Sequence, residues 1–239
     1  MAGHSKWANI KHKKARADAK KGKIFSRIAK ELIVAVKMGG PDQSTNTRLR
    51  LVLQKARTAN MPNENIERNI KKASSADQGD FDDMTYELYG YGGVGIICQA
   101  MTDNKNRMAS DLRIATNKRG GTIATPGAVA FQFEKKGVIQ IASKGVDPDR
   151  LFEEVLDAGA EEFDEEGDIF IVTTPYDSLY LVKEKMEARG YKCEEASQEL
   201  LPKVLVECDK EAQEKNLSLI EWLESIDDVD AVYHNMKDC

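Results

Sequence analysis

The chain has 239 residues, 35 Lys and Arg against 40 Asp and Glu, a formal net charge of −5 and a hydrophobic content of 41%. That content supports a packed core and excludes a wholly disordered tail, and no apolar run approaches the ~20 residues of a membrane helix. The charge is sorted: residues 1–78 carry 18 Lys and Arg against 6 acids, and residues 79–239 carry 17 against 34, so a basic module precedes an acidic body.

Residues 1–23 read as an arm. Lys6, Lys11, Lys13, Lys14, Arg16, Lys20, Lys21 and Lys23 face a single acid, Asp18, and Trp7 and Ile10 are the chief apolar residues. Such a segment buries too little to order itself alone, and its like charges repel unless a polyanion neutralises them. A lone Trp7 anchors the arm to its own body more readily than it stacks on a base.

Three amphipathic helices follow. Ile24, Phe25, Ile28, Leu32 and Val36 recur at helical spacing, and Gly39-Gly40-Pro41 ends that helix. The second begins near Asn46 and buries Leu49, Val52, Leu53 and Ala56. The third begins near Pro62 and buries Ile66 and Ile70. Arg27, Arg48, Arg50, Arg57, Arg68 and Lys71 fall on the outer ridges, where Glu31, Glu64 and Glu67 give little of the interleaved acid usual on solvated helices. No helix-turn-helix is recognisable, so contacts through this surface position the protein on phosphates rather than read bases. Structured RNA suits such contact at least as well as duplex DNA.

Ser74–Gly79 reads as a linker. Beyond it Val94–Met101 predicts a strand, Asp103–Asn106 a turn, 107–119 a helix burying Met108 and Leu112, and Ala128–Phe133 a second strand. Val138–Ala142, Pro148–Ala158, Glu161–Phe163, Ile169–Thr173, Asp177–Arg189 and Tyr191–Ala196 then run β-α-β-β-α-β, a ferredoxin-like order. A strand at Lys203–Cys208, a helix at 210–225 and a strand at Ala231–Asn235 close the chain. The expected fold class is α+β: an N-terminal three-helix bundle over 1–78, a discontinuous α+β domain from 79–133 plus 203–239, and a ferredoxin-like domain at 134–202 inserted into it.

Several tempting motifs carry little. Asp164–Asp168 lacks calcium-loop spacing and reads as a solvated hairpin turn, and Asp227-Asp228-Val229-Asp230 reads the same way. Gly90–Gly95 precedes a strand, with no Gly-Lys-Ser/Thr after it, so close backbone approach explains it better than phosphate binding. Cys98, Cys193, Cys208 and Cys239 stand far apart, as do the three histidines, which points to reduced thiols and no metal or cofactor. Asn104, Lys105 and Arg107 form a polar-basic spot in the acidic region. They are a secondary contact with the same polyanion or, for the two Asn of 104–106, a helix-start turn.

Met1-Ala2-Gly3-His4-Ser5-Lys6-Trp7-Ala8-Asn9-Ile10-Lys11-His12 resembles the opening of the YebC/PmpR family. So do Gly22–Phe25, Ala59–Pro62, Asn65–Arg68 and Thr102–Arg107. Departures are Tyr91 for the family's usual Pro, Phe131 for a common Trp, and Arg119 for a usual His. The resemblance implies three domains, one interrupted by another. It also implies a bacterial cytoplasmic protein, or an organelle relative such as the mitochondrial translational activator of cytochrome oxidase. Trp7 and His12 are candidate nucleic-acid contacts alongside the basic residues of the arm. Members of that family are labelled probable DNA-binding transcriptional regulators, and relatives resemble ribosome-associated factors that relieve stalling at proline-rich stretches.

The sequence therefore predicts a non-enzymatic nucleic-acid-binding regulator, its partner DNA or ribosomal and transfer RNA. Protein partners are left to the acidic domains, and no membrane is involved. A protein–protein adaptor and a hydrolase built from distant residues are the rival classes.

Overall fold

The computed structural model describes residues 17–74 and 81–237. It divides into two compact units. One runs to Phe133 and resumes at Pro202, and the other is Glu134–Leu201.

In the first unit, helix α1 spans Ala17–Gly39, α2 Thr47–Thr58 and α3 Asn63–Ala73. Helix α1 takes in the last residues of the expected arm, so Lys20, Lys21 and Lys23 lie on a helix. The apolar stripes meet, with one exception: Ile28, Leu32, Val36, Leu49, Val52, Leu53, Ala56 and Ile66 share one core, Phe25 and Ile70 pack against it half-buried, and Ile24 is exposed. Asn46 holds the turn between α1 and α2. Its Nδ2 donates to the Ala35 and Gly40 carbonyls at 2.7 and 2.8 Å, and its Oδ1 accepts from Leu49 N at 2.9 Å, so one buried amide ends one helix and caps the next. Gly39 is needed there, because a Cβ would stand 2.7 Å from the Asn46 side chain.

The same unit holds a sheet in the order β3-β1-β2-β8, with β1 at Asp82–Tyr89, β2 at Gly95–Thr102, β3 at Thr122–Ile123 and β8 at Val229–His234. Its three pairings are antiparallel. Helices α4 (Lys105–Arg119) and α7 (Lys210–Ser225) pack on it through Met108, Leu112, Ala115, Leu219, Ile220 and Leu223. This is a ferredoxin-like strand order in which the chain supplies one central strand, β1, first instead of third.

Three expectations fail here. Strand β1 was not read from the sequence. Ala128–Phe133 is no strand: Pro126 and Gly127 (φ +88°) turn the chain and Ala130–Gln132 forms a 3₁₀ turn. Lys203–Cys208 adds only one bridge, Val206 with Met236, and is no strand of this sheet, whose four places are filled by β1, β2, β3 and β8.

The second unit orders its strands β5-β6-β4-β7, with β4 at Phe133–Ala142, β5 at Glu162–Glu166, β6 at Ile169–Pro175 and β7 at Cys193–Pro202. Helices α5 (Pro148–Ala158) and α6 (Leu179–Ala188) cover one face through Leu151, Val155, Leu179, Val182 and Met186. This is the ferredoxin-like order itself.

Candidate nucleic-acid interface

Lys6, Trp7, Lys11, His12, Lys13, Lys14 and Arg16 lie outside the described residues, as do the side chains of Lys20, Lys21 and Lys23. The remaining expected contacts separate into two groups.

The first group faces solvent. Arg57 and Lys71 are exposed and have no acidic partner among the described residues. Arg50 is exposed and reaches the Thr47 hydroxyl at 3.3 Å, and Arg68 reaches the Asn65 amide oxygen at 2.9 Å. Neutral partners orient these guanidinium groups without discharging them.

The second group is paired within the molecule. Arg27 was expected as a phosphate contact, but its Nε donates to Glu31 Oε1 at 2.9 Å and stands 4.0 Å from Asp230. Burial opposes the Arg27 charge, yet these carboxylates outweigh it and raise its pKa. Arg48 reaches Asp83 at 3.0 Å, and Lys105 reaches Asp82 at 3.2 Å. Arg107 pairs with Asp103 at 2.8 Å and Asp228 at 2.6 Å. Asn104 caps α4, its Oδ1 accepting from Arg107 N at 3.0 Å. The polar-basic spot of 104–107 is therefore chiefly a helix start and an intramolecular joint.

That joint is what sequence reasoning missed. Lys30, on α1, donates to the Met101 carbonyl at 2.9 Å and stands 3.5 Å from Asp228. Asp228 also accepts from the Thr102 hydroxyl at 2.9 Å, and together these partners hold its carboxyl below the ordinary range against the opposing effect of burial. A solvated turn was expected at this position; Asp228 is instead buried. Lys55 on α2 meets Glu31 at 2.7 Å. Burial and the nearby Arg27 lower the Lys55 pKa, while Lys55 and Arg27 outweigh burial to lower that of Glu31. No motif marks these residues, since they converge from four elements distant in sequence.

The glycine-rich loop is also structural. Asn216 on α7 accepts from Tyr91 N at 2.8 Å and donates to its carbonyl at 3.0 Å. A Cβ on Gly92 would lie 2.8 Å from Cys208 Cβ, so the glycine serves close approach. Among the described residues no group of three or more His, Cys, Asp or Glu is arranged to hold a metal ion. No described helix is long and apolar enough to cross a membrane.

The arrangement defines a class of protein: a helical module with solvent-facing cations, fastened by ion pairs to an α+β body. Two family models match the chain. The model for the TACO1/YebC protein N-terminal domain covers residues 5–76, and the model for the TACO1/YebC second and third domain covers 81–236. The chain belongs to the TACO1/YebC family. It is similar to a probable transcriptional regulatory protein of Protochlamydia amoebophila, 65% identical over 99% of this chain and 97% of that protein. It is also similar to one of Chlamydia muridarum, 58% identical over 99% of this chain and all of that protein. Among solved structures it is similar to the crystal structure of a conserved hypothetical protein from Aquifex aeolicus, with a TM-score of 0.83 and 40% identity, covering 98% of this chain and 97% of that one.

Proposed function

We propose that this protein is a nucleic-acid-binding regulator of gene expression, acting on DNA as a transcriptional regulator. The observation that carries the reading is the set of bundle cations left facing solvent, Arg50, Arg57, Arg68 and Lys71, beside an arm with eight Lys and Arg and one acid. The relatives' shared name, probable transcriptional regulatory protein, agrees with it. Lys6, Lys11, Lys13, Lys14, Arg16, Lys20, Lys21 and Lys23 grip phosphates, and Arg50, Arg57, Arg68 and Lys71 extend the grip along the bundle. Arg27, Arg48 and Arg107 play no part in it while their carboxylate partners hold them.

A second reading, contact with ribosomal RNA, is favoured by one feature. Among the described residues the exposed cations are split between α2, with Arg50 and Arg57, and α3, with Arg68 and Lys71, which suits recognition by shape. The test is to replace Lys11, Lys13 and Lys14 with Glu and to follow the protein in gradients of cell lysate with and without DNase or RNase. Co-sedimentation that DNase removes supports the DNA reading, and removal by RNase supports the ribosomal one. A triple variant that binds duplex DNA and ribosomes as tightly as wild type at ~150 mM salt overturns both.

A further inference from the structure

Helix α4 is a basic element in an acidic setting. Its fifteen residues hold Lys105, Arg107, Arg113, Lys118 and Arg119 against one carboxylate, Asp111. The rest of 79–133 and 203–239 holds four Lys and Arg against fifteen Asp and Glu. The joint explains Lys105 and Arg107, which are paired with Asp82, Asp103 and Asp228. It does not explain the other end of the helix. Arg113 and Lys118 are exposed, with no acidic partner among the described residues. The Arg119 guanidinium lies 5.1 Å from the centre of the Trp222 ring, a contact that orients the charge without neutralising it.

Helical spacing sharpens the pattern. Asn106, Ser110, Arg113 and Asn117 follow one another at intervals of four, three and four residues, so they form one line along the helix. All four are exposed and none is acidic. The line is about 16 Å long at the α-helical rise, and Lys118 flanks it. Favourable interaction with the helix dipole accounts for Lys118 and Arg119 in the last turn. It gives no reason for Asn, Ser, Arg and Asn to occupy the three turns before, where a solvated helix in so acidic a domain would carry Glu.

We infer that this ridge is a second phosphodiester-binding surface of the protein. Arg113 and Lys118 supply charge to a nucleic-acid backbone, and Asn106, Ser110 and Asn117 donate to its phosphate oxygens. Charge complementarity selects the occupant. A row of cations and neutral donors matches a polymer of evenly spaced anions, whereas docking on a protein calls for a cluster of apolar or aromatic anchors. The ridge offers only Ile114 for that purpose, 44% exposed. The inference rests on the nucleic-acid reading and extends it from the bundle to the α+β body.

The test uses the full-length chain with Arg113→Gln and Lys118→Gln together, and Lys210→Gln with Lys215→Gln as a control of equal charge change on α7. Fluorescence anisotropy with labelled 20-base-pair DNA and RNA duplexes is measured across a salt series. The ridge pair is expected to weaken binding at least fivefold at ~100 mM salt and to lower the log–log salt slope by about 1 to 2, with an unchanged melting temperature, since each lost phosphate contact removes roughly 0.9 from that slope. The control pair is expected to keep both values. Wild-type binding with an unaltered slope in the ridge pair overturns this inference and leaves the nucleic-acid reading standing. Equal loss in the control pair, or loss of polyglutamate binding to the same degree as duplex binding, also overturns it. A wild-type chain that binds neither duplex overturns the nucleic-acid reading itself, and the ridge with it.

Discussion

Glu87 shows how one side chain can set the course of a loop. It is buried on β1, and its two carboxylate oxygens accept from Gly127 N at 2.6 Å, Val129 N at 2.6 Å and Ala130 N at 2.8 Å. Burial alone would raise its pKa, but the three amide donors win and hold it below 4.5. Glu87→Gln keeps one acceptor oxygen but points an NH₂ group at amide donors. Chemical denaturation at neutral pH is therefore expected to show a loss of about 2 kcal/mol, the scale of hydrogen bonds to a charged group. The sign of the pH dependence follows from the lowered pKa: the stabilisation is complete above the unfolded value of 4.5 and is lost as pH falls below it. The Gln variant should show a shallower decline in that acid range. Asn46 acts similarly between α1 and α2, where Asn46→Ala removes three hydrogen bonds, those to the Ala35 and Gly40 carbonyls and that from Leu49 N. A loss of about 2 to 3 kcal/mol is expected, more than a helix cap alone supplies.

At the level of elements, α1 and α2 meet through a partly buried charge cluster as well as an apolar seam. Glu31 is shared by Lys55 and Arg27, so Glu31→Ala leaves two like charges facing each other in a poorly solvated site. A destabilisation of about 3 to 5 kcal/mol is expected from denaturant titration. The double change Glu31→Leu with Lys55→Met should recover part of it, because the Lys55 charge goes with its partner while Arg27 keeps only Asp230 at 4.0 Å. None of this was legible in the sequence, where nothing pairs Glu31 with Lys55. What was legible was periodic. The stripes of α2 and α3 and the strand β2, where Ile96, Ile97, Cys98, Ala100 and Met101 are all buried, gave their elements directly. Strand β1 was missed because Asp82-Asp83-Met84-Thr85-Tyr86-Glu87 places acids on both faces, and its one buried acid is explained only by a loop forty residues away. Ala128–Phe133 misled for the opposite reason: its apolar run suggests a strand, but its amides at Val129 and Ala130 bond the Glu87 carboxylate and Phe131 is exposed. The candidate site divides along the same line, since sequence shows which residues are cationic but not which carboxylates fold against them.

At the scale of the whole first unit, the bundle is fastened to the sheet through Lys30, Arg27, Arg107, Asp228 and Asp230. Two carboxylates two residues apart in this joint have opposite electrostatic characters. Asp228 is held low by Arg107, Thr102 and Lys30, whose combined effect exceeds that of burial. Asp230 is pushed up chiefly by burial, with Glu31 adding to it, and the cations Arg27, Lys30 and Lys55 only partly offset that. The consequences for stability have opposite signs. The Asp228 contribution is present above the unfolded value of 3.8 and disappears as pH falls below it. For Asp230 the raised folded value means that ionisation opposes folding, a penalty that grows as pH rises from 3.8 through the folded pKa and persists at neutrality. At pH 7, Asp228→Asn should lower the melting temperature and speed amide exchange in α1 and at the start of α4, because Arg107 and Lys30 lose their common partner. Asp230→Asn should leave the melting temperature unchanged or raise it, since Arg27 keeps Glu31 at 2.9 Å. Equal losses in the two variants would show that the joint responds to total negative charge, and the distinction between Asp228 as fastener and Asp230 as burden would fall. A cleanly divided outcome would make Asp228 the carboxylate that couples the cation-bearing bundle to the body behind it.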